Sequence, residues 1–219
     1  MKTLLNLSPA RRWKEHRSPR SFVPLRGFSL IEIMVVLSIV ALMLALAGPG
    51  FIPVMQARSL TSAADELEQA LAEARQVAMT EDIVVEVEFL GYQREENNRG
   101  LEFAAYRFWK LMPNGERRDY GPIHKLESSF VFLNQLSTLL RDGAAETETG
   151  KIPNQISGSV SMVRFAFFPN GETNLPERED EDNWHITIGH TKDSLTNLPN
   201  NFIVFQINQT NSHVTRLQP

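Results

Sequence analysis

Apolar positions along this chain fall into three successive patterns. The first is an unbroken run: residues 28–47 read FSLIEIMVVLSIVALMLALA, and only Ser29, Glu32 and Ser38 interrupt it. At about 1.5 Å of rise per residue, twenty residues make a helix about 30 Å long, the thickness of a bilayer's hydrocarbon core. The run predicts a transmembrane helix over 28–48. Gly48-Pro49-Gly50-Phe51-Ile52-Pro53 then breaks the pattern. Proline removes a backbone donor and crowds the preceding turn, so a kink or melted turn is predicted at Pro49.

The second pattern has helical spacing. Leu60, Ala64, Leu67, Leu71, Ala74 and Ala78 recur every three or four residues, with Asp65, Glu66, Glu68, Gln69, Glu73 and Gln76 on the other faces. An amphipathic helix over 49–80 is predicted, laying one apolar stripe on its own globular domain. The third pattern is alternation. Ile83, Val85, Val87 and Phe89 alternate with Val84, Glu86 and Glu88, which reads as a half-buried strand. Further strands are predicted over 101–111 and near 130–133, 163–168, 184–188, 202–207 and 213–217. Pro113-Asn114-Gly115 marks a turn, and 136–140 a short helical turn. Residues 142–159 and 174–183 are polar and read as loops. Successive strands without long intervening helices imply an antiparallel sheet. The predicted fold is α+β: a long N-terminal helix, half transmembrane and half amphipathic, packed on a β-sheet head over 81–219.

Charge sharpens this picture. Residues 1–27 carry seven basic side chains against the single acid Glu15, a net of +6; since the whole chain is −4, residue 28 onward holds −10. A basic leader, an apolar run and an acidic body form a topology signal, with the leader cytoplasmic and the body translocated. The run is too long for a secretory h-region, and no small-residue cleavage site follows it. The twin-arginine reading of Arg11-Arg12 fails because the apolar run begins too far downstream.

Arg26-Gly27-Phe28-Ser29-Leu30-Ile31-Glu32 resembles the prepilin cleavage and methylation signature of type IV pilins and pseudopilins. The resemblance implies cleavage after Gly27 by a prepilin peptidase and N-methyltransferase. It also implies N-methylation of Phe28 as the mature N-terminus, and a role in filament assembly for Glu32, whose carboxylate would attract a neighbouring subunit's N-terminal amine. A lone carboxylate in a membrane helix is costly and is usually kept for function. The 27-residue leader is long for this family. The head resembles the minor pseudopilin H and FimT-like branch through Leu60–Leu67, Ala72–Ala78 and Phe167-Phe168-Pro169-Asn170-Gly171. Residues 198–208 resemble the Verru_Chthon cassette protein D subgroup.

Other chemistry is sparse. The absence of cysteine excludes disulfides, zinc-thiolate sites and a cysteine nucleophile. His16, His124, His185, His190 and His213 show no metal-ligand spacing, and the acidic run 177–182 lacks the glycine and ligand spacing of a calcium loop. No phosphate-cradling loop or nucleophile elbow occurs. These readings predict no enzyme, no cofactor and no metal. They favour a minor pseudopilin-like subunit of a type II secretion or related type IV filament in the bacterial inner membrane, its N-terminus cytoplasmic and its head periplasmic. Its partners would be the prepilin peptidase and other pilin or pseudopilin subunits. One alternative is a FimT-like pilus subunit that binds DNA through Arg107, Lys110, Arg117 and Arg118; the acidic mature chain speaks against it. Another is a signal-anchored exported protein that never polymerises.

Overall fold

The computed structural model of the chain describes residues 27–94, 100–142, 150–152, 156–178, 183–192, 199 and 201–218, with side chains described outside 46–54 and 150–159. The chain forms two compact units that divide between Pro49 and Gly50. Helix α1 (Leu30–Glu81) contributes residues to both, and its backbone is helical through 48–53.

In the first unit, α1 is apolar all round. Its large apolar side chains from Leu30 to Leu44 are between 45% and 77% exposed. Among the described residues no helix is long and apolar enough to cross a membrane. The side chains described on this stretch end at residue 45, and residues 30–45 rise only about 24 Å, short of a hydrocarbon core of about 30 Å.

In the second unit, α1 packs on a sheet of β1 (Val84–Gln93), β2 (Leu101–Leu111), β3 (Arg117–Lys125), β4 (Phe130–Phe132), β5 (Gly150–Ile152), β6 (Ile156–Phe167), β7 (Trp184–His190), β8 (Phe202–Ile207) and β9 (Val214–Leu217). All pairings are antiparallel, in the order β5-β6-β1-β2-β4-β7-β8-β9. β3 also pairs with β2, so β2 divides its second edge between β3, over residues 105–111, and β4, at Phe103. A 3₁₀ turn (Asn134–Leu136) and the short helix α2 (Thr138–Asp142) follow β4, where the sequence predicts a helical turn.

The α1 stripe lands where its spacing puts it. Leu60, Ala64, Leu67, Leu71, Ala74 and Ala78 are all buried in one core with Val85, Val87, Phe89, Phe108, Phe165 and Phe167. Burying each leucine stabilises the fold by about 1.5–3 kcal/mol. Phe89 packs edge-on against Phe132, ring centres 5.1 Å apart. Polar contacts then set the helix against both flanks of the sheet. Tyr120 donates to Glu73 at 2.6 Å and His124 meets Glu66 at 3.0 Å, both from β3. Arg75 donates to Ser212 Oγ at 2.7 Å, and Arg216 of β9 pairs with Asp65. Such exposed contacts contribute about 0–1 kcal/mol each, so they mainly fix orientation.

β1 and β2 lose register between Leu90 and Gly91: Leu90 faces Ala105 and Gly91 faces Phe103, leaving Ala104 as the extra residue of a bulge. A Cβ on Gly91 would stand 2.7 Å from Leu101 Cδ2 and 3.2 Å from the Phe103 ring, a close approach that suits glycine. The bulge turns Phe103 into the aromatic core, and Glu102 shares the opposite face with Tyr92.

Two parts of the sheet depart from expectation. The 113–115 turn and the hairpin read around Arg107 and Arg117 imply a returning strand, but its extent to Lys125 is not readable, because Gly121-Pro122 sits inside it and its charges hide any alternation. Proline is tolerated there because only one edge of β3 is paired, and Gly121 takes a positive φ of 81°. β5 and the start of β6 fall within 142–159, which reads as loop. Ser157, Gly158 and Ser159 have weak strand preference, and β6 is held instead by pairing along β1 from Phe167 to Val160.

Candidate functional site

The head of α1 is built by Ser29. Its side-chain Oγ accepts the Glu32 N–H at 3.2 Å and its carbonyl accepts the Ile33 N–H at 3.2 Å, which starts the helix. Ser29 and Glu32 thus stand in the Ser-x-x-Glu spacing of a helix cap. This cap was readable in the sequence as that spacing and was missed. Ser38 donates its hydroxyl to the Val35 carbonyl at 2.7 Å. Two of the three polar residues in the apolar run therefore have their side-chain needs met inside the helix. The third does not: no cation among the described residues pairs with the Glu32 carboxylate, which lies exposed in the first turn. The helix dipole favours an acid at that end, yet an apolar environment makes an unpaired carboxylate costly.

Gly27 and Phe28 precede the helix. Phe28 is 78% exposed. A Cβ added to Gly27 would meet nothing within 4 Å among the described residues. Residues 1–26 lie outside the described residues.

The proposed nucleic-acid patch is a different arrangement from the one expected. Its four cations lie together around β2 and β3, and each has a carboxylate partner. Arg107 pairs with Glu88, Arg118 with Glu116 at 3.2 Å, and Lys110 Nζ donates to Glu81 at 2.7 Å. Arg117 Nη2 stands 2.6 Å from Glu86, an ion contact rather than an aligned hydrogen bond. Arg107 and Arg117 also stack over Trp109, 4.4 and 4.9 Å from its centre. At the centre of the group, Glu88 is fully buried between Arg107 and Arg164, whose Nε donates at 2.5 Å, and Trp109 donates to it at 3.2 Å. Burial alone would raise the Glu88 pKa. The hydrogen bonds from Arg107 and Arg164, the Arg107 charge and the Trp109 bond outweigh it and hold the carboxyl below its ordinary 4.5. Charge spent on these carboxylates is not presented to phosphates.

Among the described residues no group of three His, Asp or Glu side chains could hold a metal. His185 hydrogen-bonds with Thr138, Asn183 and Leu136, as a structural histidine does. Residues 179–182 of the acidic run lie outside the described residues.

Residues 26–48 match the family model for the prokaryotic N-terminal methylation motif. The match covers the segment in which the sequence resembles the prepilin signature, Arg26 to Glu32. No curated protein matches it. Among solved structures it is similar to the minor pseudopilin EpsH from the Type 2 Secretion System of Vibrio cholerae. That likeness has 11% identity and a TM-score of 0.42, covering 74% of this chain and 98% of that one, and is too slight to carry function across.

Proposed function

We propose that this chain is a minor pseudopilin-like subunit of a type II secretion or related type IV filament, matured by removal of residues 1–27. The observation that carries the reading is the helix head. Among the described residues, Glu32 is the one polar side chain of the exposed apolar run that has no partner of its own. Cleavage after Gly27 would create a cationic amine on Phe28, methylated in this family, and a neighbouring subunit would bring that amine to Glu32. In low dielectric the pairing fixes axial register between subunits. The open surroundings of Gly27 among the described residues support the same reading, since they leave room for the prepilin peptidase to approach the bond after it. Before assembly the apolar run would sit in the bacterial inner membrane, with the basic leader cytoplasmic and the acidic head periplasmic. Pro49 is the proposed bend of α1, and the assembled helices would exchange lipid contacts for one another.

Intact mass and N-terminal sequencing of the membrane-extracted protein test this. A chain beginning at Phe28 with the mass of one added methyl is expected. A chain that keeps residues 1–27 would leave an unprocessed membrane-anchored protein and remove the assembly role.

A further inference from the structure

A cleft of ≈ 260 Å³ opens where β2 changes partners. β3 takes the second edge of β2 along residues 105–111, while β4 meets it only through Phe103 and Phe132. Leu101 and Glu102 therefore face Val131, Leu133 and His190 across a gap instead of a ladder. The volume far exceeds the roughly 10–15 Å³ that one water needs by the same kind of measure.

Glu102 reaches the far face of the sheet only because of the Ala104 bulge; with unbroken register, alternation would aim residue 102 into the aromatic core. Its Oε2 is shielded from solvent and receives no hydrogen bond from the described residues. Glu88, on the same sheet, shows what such a carboxylate ordinarily acquires: two arginines and an indole N–H. The cleft is apolar along Leu101, Val131 and Leu133 and polar at Asn134, Gln135, His190 and Thr191. A carboxylate oxygen shielded there attracts a cation that can reach it more strongly than one in water does.

We propose that this cleft binds an alkylammonium or alkylguanidinium group, with the cation paired to Glu102 and the stem lying along Leu101, Val131 and Leu133. The site is independent of the helix head and of the assembly reading. The test titrates the full chain in detergent micelles with n-butylammonium, using n-butanol and butyrate as neutral and anionic controls with the same stem. The readout is the amide shifts of Asn134 and Thr191 at the cleft. Saturable shifts with butylammonium are expected, with binding of the two controls at least tenfold weaker. Glu102→Gln, which keeps the shape, is expected to weaken butylammonium at least tenfold. Leu101→Arg, at a half-exposed rim position, supplies an internal cation and should abolish binding without touching the core. No saturable shift, equal binding of butanol, or undiminished affinity in either variant would overturn the proposal.

Discussion

Replacing Glu88 by glutamine isolates the buried charge cluster that Glu88 forms with Arg107 and Arg164. The change keeps the side chain's shape and removes its negative charge, so Arg107 and Arg164 lose the ion that both address. Breaking a buried ion pair from one side costs about 3–5 kcal/mol, because the remaining charge is left uncompensated. Here the two arginines are 14% and 13% exposed, so some rehydration is available and the lower end, about 3 kcal/mol, is expected. That is a large share of the roughly 5–15 kcal/mol that holds a typical domain together. Urea unfolding of the full chain in micelles, followed by far-UV circular dichroism, measures it at neutral pH. The pH dependence supplies the decisive control. The native Glu88 pKa lies below its ordinary 4.5, so the native state binds this proton less readily than the unfolded one. The carboxylate's contribution is complete above about 4.5 and is lost as pH falls through the lower native value. The wild-type advantage over Glu88→Gln should therefore shrink in acid, since protonated Glu88 resembles the amide. A difference below about 1 kcal/mol at neutral pH, or one that stays constant into acid, would refute the account of this cluster.

Two further outcomes follow from the helix. Glu32→Ala should leave membrane insertion intact and strongly reduce incorporation into filaments, read by comparing membrane and sheared-filament fractions; equal incorporation would remove the pairing role given to Glu32. Leu67→Ala opens a cavity at a fully buried position and should cost about 2–5 kcal/mol. This lowers the midpoint of thermal unfolding by about 5–15 °C, and a shift under 2 °C would mean that the stripe is not the core.

The parts of the fold set by one face of one element were legible in sequence. The α1 stripe reads directly from three- and four-residue spacing because the helix buries one side, and β2 reads over residues 101–111 with no error at either end. What the sequence hides is whether the second face of a strand is covered. Glu86 and Glu88 look alike as the polar half of an alternation. Yet Glu88 is fully buried and Glu86 is not, because Arg107 and Arg164 come from strands 19 and 76 residues away. The same limit applies to the basic patch: its clustered cations and the Glu116 beside Arg118 are visible in sequence, but the partners of Arg107, Arg117 and Lys110 on β1 and at the end of α1 are not. At the helix head the position was the reverse. Gly27, Phe28 and Glu32 fall within six residues, so the relation proposed for them rests on the sequence alone, and the structure adds the Ser29 cap.

The ties between α1 and β9 also bear on how the chain reaches its native state. Arg216 meets Asp65 across 151 residues of sequence, and Arg75 meets Ser212 across 137. Such long loops must close before these contacts give anything back, and folding slows as the mean separation of contacts grows. A chain delivered from its N-terminus presents the α1 stripe first and the strand that completes its flank last. Until residue 217 arrives, the amphipathic half of α1 waits with one flank open, a natural place for a holding chaperone to grip and for a truncated product to betray itself.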